Sequence, residues 1–148
     1  MSSDQGLRET EKFLHEQIPL TRAMEIRVES NGPEGFIMRA PLPPNHNHLG
    51  TAFGGSLAAI VLLSGYGLLW LELNDRAAHL VVSESRMKFR RPVRSDLRAI
   101  CRRPEAAALA RFTTDFATKG KARIQLEARI EEEGETAVLF DGTYVALR

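Results

Sequence analysis

Leu49-Gly-Thr-Ala-Phe-Gly-Gly-Ser-Leu-Ala-Ala-Ile-Val-Leu-Leu-Ser-Gly-Tyr-Gly-Leu-Leu-Trp-Leu71 is a run of 23 residues without one charge. By length alone it would span a membrane as a helix. Its composition argues against that: five glycines (Gly50, Gly54, Gly55, Gly65, Gly67) and Thr51, Ser56 and Ser64 interrupt it, and it sits mid-chain between polar segments rather than beside a basic anchor. A helix apolar on every side is buried on every side. The run therefore predicts one long core helix over 53–73 of a soluble chain, with no membrane partner.

Working outward, the flanks read as strands. Residues 121–131 alternate without a fault, Ala122, Ile124, Leu126, Ala128 and Ile130 against Arg123, Gln125, Glu127, Arg129 and Glu131, which predicts a half-buried strand. Residues 112–118 precede it across Lys119-Gly-Lys, and residues 136–147 follow Glu133-Gly-Glu135, with Gly142 a candidate bulge; the three are expected to form an antiparallel meander. Between the helix and this meander, 79–90 alternates Val81, Ser83, Ser85, Met87 and Phe89, expected to face inward, against Val82, Glu84, Arg86, Lys88 and Arg90, and 97–102 continues after the turn at 92–96. Upstream, 22–29 and 35–40 predict a hairpin around Asn31-Gly-Pro33. Residues 4–17 predict an amphipathic helix with Leu7, Phe13 and Leu14 inward. The expected class is α+β: two strands, the core helix, then about five antiparallel strands that wrap around it, because only residues 53–73 are apolar and long enough to cover the sheet.

Composition bounds the rest. A chain of 148 residues with 43% hydrophobic and 26% charged residues is expected to form a single domain over 1–148 with a sizeable core, and neither a disordered nor a disulfide-stapled class fits. Cys101 is the sole cysteine, so no intrachain disulfide forms, and Asp4 and Glu9 stand where a secretory signal would be apolar. Both point to the cytoplasm.

The net charge of +1 hides an asymmetry. Eight basic residues (Arg86, Lys88, Arg90, Arg91, Arg94, Arg98, Arg102, Arg103) stand against one acid, Asp96, between 86 and 103, leaving −6 for the rest of the chain. Either this is a solvated strand face, or it raises the local concentration of an anionic partner. Nucleic acid is disfavoured as that partner, since Phe89 is the only aromatic among these residues available for base stacking.

The core helix is entered through Pro41-Leu-Pro-Pro-Asn-His-Asn-His-Leu-Gly-Thr-Ala-Phe-Gly-Gly-Ser56. The first N–H groups of a helix are unpaired and carry partial positive charge, so Gly54 and Gly55 would let a carbonyl oxygen approach two donors. Alternatively, these glycines only allow the helix to approach the sheet closely. His46-Asn-His48 has metal-like spacing but no further ligand near it in sequence, so neither a metal nor another cofactor is expected.

Arrangement and motif together resemble the hotdog fold of acyl-CoA and acyl-ACP thioesterases and dehydratases, in which an antiparallel sheet wraps one central helix. Within that superfamily the chain is most similar to the YiiD C-terminal domain group. The matching residues are Asn45, Asn47, Gly50, Thr51, Phe53, Gly55 and Ser56, then Gly65 and Leu68-Leu-Trp70, then Phe89-Arg-Arg-Pro-Val93. The resemblance implies an acyl-thioester substrate on acyl carrier protein or CoA, both drawn to Arg86, Lys88, Arg90, Arg91 and Arg94, and a homodimer or tetramer with each site between protomers. It implies catalytic roles for Asn45, Asn47, Gly54 and Gly55, and substrate contacts from Thr51, Phe53, Ser56, Tyr66 and Ser83. For Asn45 and Asn47, shaping a Pro-rich turn is the other reading, and for Tyr66, packing is.

One departure bears on the reaction. The broader thioesterase group reads Asn-x-x-Gly-x-x-His-Gly-Gly with an acid about two turns down the helix; here Phe53 stands at the His position and the acid position falls in Leu62-Leu63. Glu72 lies 17 residues beyond Gly55, about 25 Å at helical rise, too far to act. Hydrolysis needs a positioned base, whereas decarboxylation of a malonyl thioester needs only a stabilised enolate oxygen and a desolvated carboxylate. The resembling group is understood to include malonyl-ACP decarboxylases, so decarboxylation to acetyl-ACP is the leading expectation. Hydrolysis by way of His46 or His48 and a non-catalytic acyl-thioester binding module are the alternatives.

Overall fold

The computed structural model describes residues 3–148, and the expected central helix organises them. Helix α1 (Asp4–Gln17) and the short α2 (Pro19–Ala23) lead into the hairpin β1 (Arg27–Gly32) and β2 (Gly35–Ala40). A 3-10 turn at Pro43–Asn45 precedes α3 (Gly54–Leu73); then follow β3 (His79–Phe89), β4 (Leu97–Cys101), α4 (Ala106–Lys119), β5 (Lys121–Glu132) and β6 (Glu135–Leu147). The strands form one six-stranded antiparallel sheet in the order β1-β2-β4-β5-β6-β3. Its inner face holds α3. This is the hotdog architecture, α+β, that the sequence predicts.

Alternation and all-round apolarity decide the interior. In β5, Ala122, Ile124, Leu126, Ala128 and Ile130 are all buried in one cluster with Leu57, Ile60, Val61, Leu68 and Leu69 of α3. Two helix glycines set how closely the sheet approaches: a Cβ on Gly65 would lie 2.3 Å from the Tyr144 hydroxyl oxygen, and one on Gly67 2.7 Å from the Phe36 ring. Leu14 of α1 is fully buried, with Leu7 and Phe13 packed against the same core, and Phe13 stacks on Trp70 at 4.6 Å.

Four expectations are corrected. Residues 112–118 lie in helix α4, so strands β3 to β6, four rather than about five, follow α3; Leu109, Phe112 and Phe116, three and four residues apart, bury one helical stripe. Residues 22–26 are not strand: Pro19 opens the short helix α2 and β1 begins only at Arg27. Gly142 is paired regularly with Ser85 and Leu126, and its missing Cβ makes room for the Phe140 ring rather than a bulge. Across the β3–β6 pair the bulge lies in β3, between Val82 and Glu84, and it shifts the inward phase: Leu80 and Val82 face the core before it and Met87 after it, so Val81 lies on the outer face opposite Val145, while Ser83, Ser85 and Phe89 are exposed.

Candidate functional site

The loop 41–53 that delivers the chain into α3 is held by its own amides. Asn45, only 2% exposed, donates both side-chain hydrogens to backbone carbonyls, Pro41 at 2.8 Å and Met24 at 3.0 Å, and its backbone carbonyl accepts from Phe53 N–H at 2.7 Å. Its Oδ1 has no hydrogen-bond partner among the described residues. The Oδ1 of Asn47 accepts from Leu49 N–H (2.8 Å) and Thr51 N–H (3.2 Å), an Asx-type turn; its Nδ2 donates to Thr51 Oγ1 at 2.9 Å and reaches the Ala52 carbonyl only at 3.5 Å. Asn45 is thus committed to the scaffold on both hydrogens, and Asn47 firmly on one.

Two further bonds fasten this loop to the turn between β3 and β4. Leu42 N–H donates to Asp96 Oδ1 at 2.9 Å, and Ala52 N–H to the Val93 carbonyl at 2.8 Å. The start of α3 therefore sits beside the segment that carries Arg90, Arg91 and Arg94.

Phe53 occupies the cap position of α3 and offers no side-chain acceptor. The first bond is Leu57 N–H to the Phe53 carbonyl at 3.0 Å, so the N–H groups of Gly54, Gly55 and Ser56 have no partner among the described residues. A Cβ on Gly54 would meet nothing within 4 Å, and one on Gly55 would meet the half-exposed Phe53 ring at 2.4 Å. Neither glycine serves close approach of helix to sheet; Gly65 and Gly67 do that. What Gly54 and Gly55 provide is bare backbone at the positive end of a 20-residue helix.

Not every expected residue gathers there. Thr51, Phe53 and Ser56 flank the helix start. Tyr66 is 12 residues beyond Gly54, about 18 Å along the helix, half-buried and without a hydrogen-bond partner among the described residues; burial raises its phenol pKa. Ser83, in the β3 bulge, reaches only the Thr143 carbonyl at 3.4 Å and lies level with Tyr144, whose hydroxyl meets Leu62 two turns down the helix. Within one chain, Tyr66 and Ser83 stand apart from the helix start.

The acids are accounted for as well. Glu72, the first carboxylate on α3, pairs with Arg103, which also donates to Asn31 Oδ1. His46 Nδ1 lies 2.8 Å from the Asn47 carbonyl, and His48 is exposed. Among the described residues no group of three or more His, Cys, Asp or Glu side chains could hold a metal. Cys101 is buried, and burial pushes its thiol up to about 12.

The basic run divides in two. Arg98 grips Glu29 through Nε and Nη2 (2.8 Å at the closest), which holds the Glu29 carboxyl below its ordinary range; Arg102 pairs with Glu127, Arg103 with Glu72 and Arg91 with Glu135. Arg86, Lys88, Arg90 and Arg94 are exposed and make no ion pair among the described residues. Arg86 and Lys88 line one side of a groove of about 440 Å³ on the outer sheet face.

A family model described as "Putative thioesterase (yiiD_Cterm)" matches residues 7–148. The chain belongs to this YiiD_C family. Solved structures agree: a protein of unknown function from Chlorobaculum tepidum is 36% identical with a TM-score of 0.91, 98% of this chain covering 96% of that one. A "putative thioesterase" from Shewanella oneidensis is 29% identical with a TM-score of 0.85 over 99% and 100% of the two chains. A "probable thioesterase" from Pseudomonas aeruginosa is 27% identical with a TM-score of 0.77 over 99% and 96%. YiiD_C membership makes this a protein of the thioesterase superfamily, whose members act on acyl thioesters. In that setting the one apolar helix among the described residues long enough for a membrane, Gly54–Leu73, is the core helix of the fold.

Sequence reasoning passed over two residues that position this loop. Asp96 gave no signal beyond its charge. Glu132 did: it continues the inward phase of β5 after Ile130, a carboxylate where the pattern calls for an apolar side chain, and it is buried.

Proposed function

We propose that this protein decarboxylates malonyl-ACP to acetyl-ACP, supplying acetyl groups for the start of fatty-acid synthesis in the cytoplasm. The observation that carries the reading is the bare start of α3: unpaired N–H groups at Gly54, Gly55 and Ser56, with no carboxylate on the helix before Glu72. Asp96 and Glu132, the acids bonded into the adjoining turn, are spent on main-chain and hydroxyl donors.

In this reading the thioester carbonyl oxygen sits on the N–H groups of Gly54 and Gly55. The bond between the α-carbon and the malonyl carboxylate breaks, its electron pair delocalises onto that oxygen as an enolate, and CO2 leaves; a proton from water then reaches the α-carbon to give the acetyl thioester. Phe53, Thr51 and Ser56 line the helix start, and Phe53 and Leu57 help to keep the carboxylate dry, which raises its energy relative to CO2. Asn47 contributes the side-chain hydrogen held only at 3.5 Å, while Asn45 keeps the loop in shape.

Arg86, Lys88, Arg90, Arg91 and Arg94 receive the acidic carrier, or the phosphates of CoA. The Ala52 to Val93 bond supports this, since it seats Arg90, Arg91 and Arg94 beside the helix start. β3 is an edge strand of 11 residues, paired on one side with β6 and open on the other among the described residues, with Val81 and Phe89 exposed, which favours pairing with a second copy and a site between protomers.

A second reading is hydrolysis of the thioester, favoured by the family's description and by the exposed His48 within the loop. Incubation with malonyl-ACP and intact-mass measurement of the carrier separates the two: acetyl-ACP supports decarboxylation, the free thiol supports hydrolysis, and an unchanged carrier supports a binding module.

A further inference from the structure

Glu132 closes the inner row of β5 and is 6% exposed. Its carboxylate makes no ion pair among the described residues. Instead Oε2 accepts from the backbone N–H of Arg94 at 2.7 Å and Oε1 from the Ser95 hydroxyl at 2.7 Å. Taking a carboxylate out of water is costly unless its oxygens are satisfied, and two short charge-assisted bonds to adjacent residues fix the turn that donates them. That turn carries the fully buried Val93, whose carbonyl accepts from Ala52 N–H, and Asp96, whose carboxylate accepts from Leu42 N–H. Both ends of the loop before α3 hang on the segment that Glu132 clamps.

We infer that Glu132 is a positioning residue for the start of α3: it sets the 93–96 turn, and through Val93 and Ala52 it sets where the N–H groups of Gly54 and Gly55 point. With both oxygens engaged and its side chain buried, Glu132 acts by holding this geometry and takes no proton from the substrate. The inference rests on the proposed use of Gly54 and Gly55 as donors, and the test keeps the two separable.

Glu132→Gln retains the arrangement, because its Oε1 can accept from Arg94 N–H while its Nε2 donates to Ser95 Oγ. Glu132→Ala removes it, and Ser95→Ala removes half. The first readout is amide hydrogen exchange, which needs no reaction. In Glu132→Ala, exchange at the bonded amides of Ala52, Phe53 and Leu57 rises while Ile124, Leu126 and Tyr144 stay protected; in Glu132→Gln these amides match the wild type. The second is turnover of malonyl-ACP: kcat falls by on the order of tenfold or more in Glu132→Ala with KM held, since a small misplacement of donors costs the chemical step, while Ser95→Ala falls between and Glu132→Gln recovers. Unchanged exchange at Ala52, Phe53 and Leu57 in Glu132→Ala, or loosening spread evenly through the sheet, overturns the inference. Localised loosening in a protein whose wild type leaves malonyl-ACP intact sustains the positioning role and removes the decarboxylase reading instead.

Discussion

Tyr144 of β6 donates its hydroxyl hydrogen to the carbonyl of Leu62, 2.6 Å away in the middle of α3. The ring lies against Gly65, where a Cβ would come within 2.3 Å of the hydroxyl oxygen and 2.5 Å of Cζ. Burial raises the Tyr144 pKa far above that of a free phenol, so the hydroxyl stays a donor at all ordinary pH. Together with Gly67 against the Phe36 ring, this contact fixes how deep the helix sits on the sheet.

Gly65→Ala should therefore destabilise the fold by about 1–3 kcal/mol through overpacking. Tyr144→Phe, which loses only the hydroxyl bond, should cost about 1 kcal/mol. Because Cζ also crowds position 65, Gly65→Ala should remain destabilising in the Tyr144→Phe background. Chemical denaturation of the four proteins measures this; equal stability of Gly65→Ala and wild type would mean that the helix can slide.

The two loop asparagines should separate by phenotype. Asn45→Ala strands a buried carbonyl at Met24 and a part-buried one at Pro41, and should lower Tm along with activity. Asn47→Ala, half-buried, should leave more of the stability but slow turnover by about 10²-fold, the usual effect of losing a charge-stabilising donor. Melting curves beside single-turnover rates check the split, and full activity in Asn47→Ala would remove that residue from the site.

Among the described residues Arg90 is exposed without an ion pair, and Arg91 pairs only with the exposed Glu135. Reversing both charges should weaken use of acyl-ACP at low ionic strength, and the gap between variant and wild type should close as salt is raised, because surface attraction is screened. Steady-state kinetics across a salt series reads this. Retention of DNA or RNA by the wild type at physiological salt would point to a different partner for the patch.

Cys101 should resist alkylation at pH 8, since its buried thiol is pushed up to about 12. The same shift gives a pH dependence of known sign. Folding keeps the thiol neutral, so its contribution to stability is complete below about 9, the unfolded value, and is lost as pH climbs from there towards 12. Rapid labelling of the native protein at pH 8 would show that the core opens around β4.

How much of this was legible beforehand follows from which signals are local. The all-round apolar run had to be the central helix, and the alternation of β5 survives residue by residue because one face of that strand is buried in the core it shares with α3 and α4. Helix α4 was missed because Phe112-Thr-Thr-Asp-Phe-Ala-Thr is rich in residues that favour strands, whereas its helical stripe shows only when Leu109 is counted with Phe112 and Phe116. The β3 bulge left no mark on the alternation, since inserting one residue exchanges two equally plausible faces. At the site, the motif located the loop and the bare helix start but could not show what the amides bond to: the hydrogens of Asn45 end on Met24 and Pro41, and the first of these is set by tertiary packing. The splitting of the basic run was hidden for the same reason, because Glu29, Glu72, Glu127 and Glu135 come from four other elements.

The central claim is that the bare start of α3 breaks a carbon–carbon bond and spares the thioester. Intact-mass spectrometry of malonyl-ACP after incubation with the wild-type protein tests it most directly. The account predicts a product lighter by the mass of CO2, with the acetyl group still on the phosphopantetheine arm, and release of one CO2 per carrier. Appearance of the free phosphopantetheine thiol with malonate in solution, or a carrier that leaves unchanged, would contradict it.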